Sequence, residues 1–157
     1  MSTGIRSLLA GRNQALLLEE DIRRAINTFL GLDNTVKVRY DPSANTKFRV
    51  LEENGEKYGE IVLGPDIYPG SSVVDPNSAL GLKAAAAHEL THYYRWKDKT
   101  ALPDDAPEHL DEALTSLQAI MRYDRQINEP DVRQLVADAI QHLQLYVQEL
   151  EDDQAEK

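Results

Sequence analysis

One stretch in the middle of the chain decides how the rest is interpreted: Ala84-Ala85-Ala86-Ala87-His88-Glu89-Leu90-Thr91-His92-Tyr93-Tyr94. The start signal Asp75-Pro76-Asn77-Ser78 predicts a helix that runs through this stretch to about Lys97. On a helix, side chains four residues apart project from one face, about one turn from each other. We therefore expect the imidazoles of His88 and His92 to lie side by side.

Two imidazoles in this arrangement can bind the same zinc ion. Glu89 lies one position further round the helix, where its carboxylate can take a proton from a water molecule on the metal as a general base. His-Glu-x-x-His is the signature of zinc metalloproteases. The alternative is an ordinary solvated helix on which these residues have no common role. Because the chain has only four histidines, the pattern favours a metal site.

A catalytic zinc ion needs a third protein ligand and keeps one position open. Cysteine cannot supply that ligand, because the chain contains none. A metzincin would continue with glycine at position 95 and histidine at position 98, but this chain has Arg95 and Asp98, which excludes that class. Two candidates remain, His109 and Glu112, three residues apart on the next predicted helix.

His88-Glu89-x-x-His92, followed twenty residues later by Glu112 in Asp-Glu-Ala, resembles the gluzincin metallopeptidases, and among them a minimal single-domain member. The resemblance covers about residues 62–116. It implies that His88, His92 and Glu112 bind Zn²⁺ and that Glu89 is the general base in the hydrolysis of a polypeptide substrate. It also implies that the strand at residues 59–63 is the sheet edge that pairs with the substrate.

The chain departs from the gluzincin pattern at two points. Ser116 stands where many gluzincins carry an aspartate that orients the first histidine. The donor that would stabilise the oxyanion has no clear match; Tyr123, His142 and Tyr146 are candidates, each of which is also a plausible core or boundary residue.

Two other interpretations stay open. A His-Glu-x-x-His motif with a later histidine also resembles the SprT-like proteases, with His109 as third ligand. Those proteases carry a His-Gly motif that is missing here, and they need affinity for DNA. The other interpretation is a non-catalytic binding or regulatory module, in which zinc is structural and has four protein ligands. His109 at the metal would favour the module, and a water molecule near Glu89 would favour the enzyme.

The flanking segments predict an α+β fold of the zincin-like kind. An N-terminal helix at residues 14–30 precedes about three strands of a small, mainly antiparallel sheet, and three helices follow. Asn54-Gly55 between two β-rich runs predicts a hairpin. We expect the second of the three helices to cover about residues 106–124, and all of residues 1–157 to form a single domain.

The last predicted helix begins after Asn128. Its apolar stripe consists of Val132, Leu135, Ile140, Leu143, Val147 and Leu150. The acidic tail at residues 149–157 is expected to fray, because carboxylates at the C-terminus of a helix oppose its dipole.

Composition excludes several other functions. Lys and Arg number 17 against 27 Asp and Glu, a net charge of −10, which opposes binding to nucleic acid. No apolar run approaches the ~20 residues that cross a bilayer, and the first residues lack the apolar core of a signal peptide. We therefore expect a cytoplasmic protein with neither a nucleic-acid nor a membrane partner; its oligomeric state cannot be predicted.

Overall fold

The computed structural model describes residues 12–70 and 80–155. The elements, in chain order, are α1 (Glu19–Leu32), β1 (Val38–Tyr40), β2 (Lys47–Glu53), β3 (Glu56–Leu63), a 3₁₀ turn (Pro65–Ile67), α2 (Leu82–Lys97), α3 (Glu108–Arg122) and α4 (Glu129–Ala155). This order confirms the predicted α+β fold. The start signal predicted at residues 75–78 lies outside the described residues.

The sheet is mixed, with strand order β1-β3-β2. The long pairing, between β2 and β3, is antiparallel, and β1 adds a short parallel pairing on the other side of β3. The loop between β2 and β3 consists of Asn54 and Gly55, whose φ angles are 54° and 81°. Two consecutive positive φ values are those of a type I′ turn, so the predicted hairpin is confirmed.

The prediction that residues 59–63 form the sheet edge was wrong. β3 lies between the other two strands, and its backbone is used on both sides; the Ile61 N–H, for example, donates to the Lys37 carbonyl at 2.9 Å. The consecutive apolar residues Ile61, Val62 and Leu63 are all buried, as a central strand requires. The edge strand that borders the cleft described below is β2.

Helix α2 is the centre of the molecule, since it contacts the sheet on one side and all three other helices. Its four alanines, 84–87, are completely buried, and their small side chains let the neighbouring helices approach closely. On the sheet side, the ring of Phe48 packs against Tyr93 and Trp96. Gly59 makes this contact possible, because a Cβ atom there would lie 2.7 Å from the Phe48 ring.

Helix α1 begins five residues later than predicted, at Glu19, and it ends at Leu32 rather than at residue 30. Residues 12 and 13 instead run beside the segment after the 3₁₀ turn, where the Asn13 N–H donates to the Tyr68 carbonyl at 3.0 Å. Helix α3 also starts slightly later than predicted, at Glu108.

The predicted apolar stripe of α4 does not form one buried face. The face of α4 that packs against the molecule consists of Leu135, Asp138, Ala139 and His142. Four of the six stripe residues are instead exposed: Ile140, Leu143, Val147 and Leu150. The helix continues through the acidic run to Ala155, and the expected fraying of its last turns stays a prediction. In the described part of the chain, no helix is both long and apolar enough to cross a bilayer.

Candidate metal centre

His88, His92 and Glu112 come together in the interior between α2 and α3. Each is at least 96% buried, and one potential ligand atom from each lies within 4.8 Å of the others. His88 Nε2 is 2.7 Å from Glu112 Oε2, and His92 Nε2 is 3.2 Å from Glu112 Oε1. The spacing of four on α2 aligns the two imidazoles, and α3 supplies the carboxylate opposite them. This group can hold a metal ion.

The other ring nitrogen of each histidine is held from behind by α3. His88 Nδ1 is 2.8 Å from Ser116 Oγ, and His92 Nδ1 is 3.4 Å from Thr115 Oγ1. The Thr115 hydroxyl donates its proton to the backbone carbonyl of Asp111, so its oxygen is free to accept from His92. Both histidines therefore present Nε2 to Glu112, as metal-binding histidines do when Nδ1–H is fixed by an outer partner.

Asp138 on α4 completes the support of His88, and sequence analysis missed it. Ser116 donates its hydroxyl proton to Asp138 Oδ2, and so can accept one from His88 Nδ1. Ser116 thus links the imidazole of His88 to a carboxylate on another helix. The available signal was that Asp138 shares the helix face of Leu135 and His142.

Glu112 remains ionised in this pocket. Burial would raise the pKa of its carboxyl, but the attraction of His92 and the hydrogen bond with His88 lower that pKa well below its usual range. Glu112 Oε1 is buried and lies 3.2 Å from His92 Nε2, but the hydrogen bond of that nitrogen is with Oε2, so Oε1 accepts none among the described residues. Two imidazole nitrogens and one carboxylate with a buried, unsatisfied oxygen fit the ligand set of a catalytic zinc site.

Glu89 is completely buried beside the two histidines of its own helix. The guanidinium of Arg12 is near Glu89, since the negative charges of Asp138 and Glu89 act to raise the pKa of Arg12. Sequence analysis also missed Arg12. Burial lowers the pKa of Arg12 to about 10. Its guanidinium is held by three backbone carbonyls, those of Asp66, Ile67 and Leu80.

His109 is not part of the metal-binding group. Its Nδ1 is 2.9 Å from His142 Nδ1, and its Nε2 is 3.4 Å from Glu149 Oε1 on α4. His142 in turn is 3.5 Å from Asp138 Oδ1. His109 therefore lies at the outer end of a polar chain that begins behind His88, although it is only one turn from Glu112 in sequence.

None of the three candidate oxyanion donors lines the cleft described below. His142 belongs to the polar chain behind His88. Tyr123 is buried near the end of α1, where burial and the negative charge of Asp33 raise the pKa of its hydroxyl. Tyr146 is half-buried, one turn further along α4 than His142.

A cleft of about 680 Å³ leads to His92 from the surface. One wall is the edge strand β2 at residues 47–50, and the other consists of residues between 101 and 111. Arg95, which also lines the cleft, donates to Asp111 Oδ1 at 2.6 Å and so links α2 to the start of α3. The group of His88, His92 and Glu112 is thus buried, and through His92 it borders an accessible space beside the edge of β2 that pairs with no other described strand.

Comparisons of the chain with protein-family models, with curated proteins and with solved structures gave no match.

Proposed function

We propose that the chain is a zinc-dependent peptidase of the gluzincin type, with His88, His92 and Glu112 as the zinc ligands. The observation that carries the proposal is the convergence of these three buried side chains, together with the complete burial of a further carboxylate, Glu89, on the helix that holds the two histidines. A structural zinc site is closed by four protein ligands, whereas a catalytic site has three. The described residues contribute three to this group.

When bound, zinc supplies a Lewis acid that polarises the substrate carbonyl and lowers the pKa of water. Residues of the chain orient the ligands and transfer the proton. Ser116 and Asp138 keep Nδ1 of His88 protonated, so that Nε2 is the basic nitrogen. Glu89 accepts the proton of the attacking water and later donates it to the leaving amine.

The cleft suits an extended polypeptide. Among the described residues β2 pairs with β3 on one side only, and its other edge borders the cleft at residues 47–50. A substrate that adds to this edge gains main-chain hydrogen bonds without regard to its sequence. β2 therefore takes the role that sequence analysis gave to residues 59–63. The apolar side chains of Phe48, Val50 and Trp96 lie in the same cleft and offer contacts for substrate side chains.

Glu89→Gln tests the proposal, because it keeps the shape of the side chain and removes the base. We expect one zinc per chain by elemental analysis in both wild type and variant. Hydrolysis of a proteome-derived peptide library, followed by mass spectrometry, should fall by about a hundredfold or more. The matched control is Glu53→Gln at the exposed end of β2, which should keep both zinc and activity.

Two results would contradict the proposal. Full activity of Glu89→Gln would show that Glu89 is not the base. Zinc binding without any hydrolysis by the wild type, across the whole library, would favour the non-catalytic module.

A further inference from the structure

Five large apolar residues follow one exposed line along α4. They are Val136, Ile140, Leu143, Val147 and Leu150, whose exposed fractions lie between 37% and 50%. We call them the α4 seam. They lie on a different side of the helix from the face of Leu135 and His142, which packs against the molecule. The fold itself therefore leaves the seam uncovered among the described residues.

The spacing within the seam is four, three, four and three residues. This is the spacing of the a and d positions of a coiled coil, in which two helices bury an apolar line of this width against each other. Val136, Leu143 and Leu150 occupy d positions, while Ile140 and Val147 occupy a positions.

The outer half of α4 packs against little of the described part of the chain. After His142, no described residue of the helix is buried, although it continues to Ala155. Its last turn has no basic residue and follows four carboxylates, at Glu149, Glu151, Asp152 and Asp153. A helix end of this kind is unfavourable by itself, because neither packing nor its dipole stabilises it.

We propose that two copies of the chain form a dimer through their α4 seams, which pair in antiparallel orientation. Four of the five seam residues are self-complementary in this orientation, and the fifth, Leu150, lies opposite the partner subunit's Arg133. With the twofold axis between residues 141 and 142, Val136 lies opposite the partner subunit's Val147, and Ile140 lies opposite the partner subunit's Leu143. Each a position then meets a d position, as coiled-coil packing requires.

Charge decides between the two orientations. A parallel pair would bring the two acidic ends together and would place Arg133, the next a position, against its own copy. An antiparallel pair places each acidic end beside the first turns of the partner's α4, where the helix dipole is positive. Arg133 lies in those turns with an exposed side chain, 2.6 Å from Glu129, and Glu129 and Asp131 lie in the same first turn. The antiparallel dimer thus brings one arginine and a positive helix terminus, together with two carboxylates, to each acidic end, whereas a parallel dimer would bring four carboxylates against four.

The first test is the molar mass in solution, measured by light scattering and sedimentation equilibrium. We expect twice the 17.7 kDa mass of the chain for the wild type. The double variant Ile140→Glu/Leu143→Glu should be monomeric, and its circular dichroism spectrum should show that it is still folded. The matched control is Leu145→Glu, an equally apolar exposed residue on the opposite side of α4; it should remain dimeric.

The second test uses the absence of cysteine in the chain. Val136→Cys and Val147→Cys are prepared separately and oxidised alone or mixed. The antiparallel register predicts a disulfide-linked dimer in the mixture and little in either variant alone. Cross-linking of Val136→Cys with itself would overturn the antiparallel arrangement.

A wild-type monomer at all accessible concentrations would overturn the proposal, as would a dimer that survives the double variant. If the wild type is monomeric and the double variant loses thermal stability, the seam is covered by the same chain instead. Zinc and catalysis enter neither test, so these results are independent of the proposed function.

Discussion

Glu60 and Glu112 are both carboxylates with at most 1% of the side chain exposed, but their partners differ in kind. Glu60 on β3 receives hydrogen bonds from Arg39 at 3.2 Å and Arg49 at 2.6 Å, and the Lys37 ammonium is 3.7 Å away. Guanidinium groups are always charged, so the negative charge of Glu60 is permanently balanced. Glu112 faces His88 and His92, and an imidazole is charged only when it is protonated.

The cations around Glu60 balance its charge, whereas the group around Glu112 can still hold a metal ion. His88 cannot donate Nδ1–H to Ser116 and Nε2–H to Glu112 at once unless it is an imidazolium. A metal ion can take the place of the second proton and also balance the carboxylate. Glu60 is therefore the matched reference for Glu112.

The same substitution should change metal binding at Glu112 and leave it unchanged at Glu60. Glu112→Gln removes the charged ligand, and we expect zinc affinity to fall by orders of magnitude in a chelator competition assay. Glu60→Gln should leave that affinity unchanged, because its partners are cations on the sheet. Equal affinities of the two variants would break the comparison.

Zinc should stabilise the fold. At a free concentration of a thousand times Kd, binding to the folded state alone contributes about 4 kcal/mol, which corresponds to a rise in Tm of roughly 10 °C. Differential scanning calorimetry with and without zinc measures this rise. His88→Ala should show no rise, and a rise of the same size in that variant would place the metal elsewhere.

The support behind His88 should act in series. Ser116→Ala and Asp138→Asn should each lower zinc affinity about 10- to 100-fold, which is typical for the loss of an outer partner of a ligating histidine. The double variant should bind zinc with the same affinity as the single variant that has the lower affinity, since both changes interrupt one hydrogen-bonded path. Additive losses would mean that Asp138 acts on the centre by another route.

Glu60 should contribute to stability rather than to metal binding. Glu60→Gln is expected to lower the free energy of unfolding by about 1–2 kcal/mol, less than for a fully buried pair because Arg39 and Arg49 reach solvent. Burial would raise the pKa of Glu60, but the hydrogen bonds from Arg49 and Arg39 lower it below its ordinary value of 4.5. Since the folded pKa is lower than the unfolded one, this stability is present above pH 4.5 and is lost as the pH falls. Urea unfolding of the wild type and of Glu60→Gln should therefore show that their free energies of unfolding become more similar as the pH falls from 7 to 3.

The smallest effect is expected at His109. It contacts His142 rather than the metal-binding group, so His109→Ala should keep zinc affinity within about tenfold of wild type, the lower bound for an outer partner. A loss of zinc affinity as large as that of Glu112→Gln would indicate that His109 is the third ligand.

The sequence predicted what depends on helix periodicity. His88 and His92 lie on one face because four residues separate them, and the convergence with Glu112 could be expected from the resemblance. Asp138 could not, because its role depends on how α4 packs across α3. The stripe prediction failed for a related reason: α4 has two faces with apolar residues, and only tertiary packing decides which one is buried.

The sheet shows the same limit. Asn54-Gly55 fixed the hairpin, since the turn chemistry is local. The strand order depends on which side of the hairpin the short strand β1 joins, and nothing local to residues 36–40 specifies that choice. The edge beside the cleft was therefore assigned to the wrong strand of the hairpin.

We propose that His88, His92 and Glu112 bind zinc and leave one position on the ion open to substrate. Diffraction from zinc-loaded crystals, recorded on both sides of the zinc absorption edge, tests it most directly. The account predicts one anomalous peak per chain at ~2.0–2.2 Å from Nε2 of both histidines and from a Glu112 oxygen, with no fourth protein ligand. No peak at saturating zinc, or a peak bound to His109 with Glu112 turned away, would contradict it.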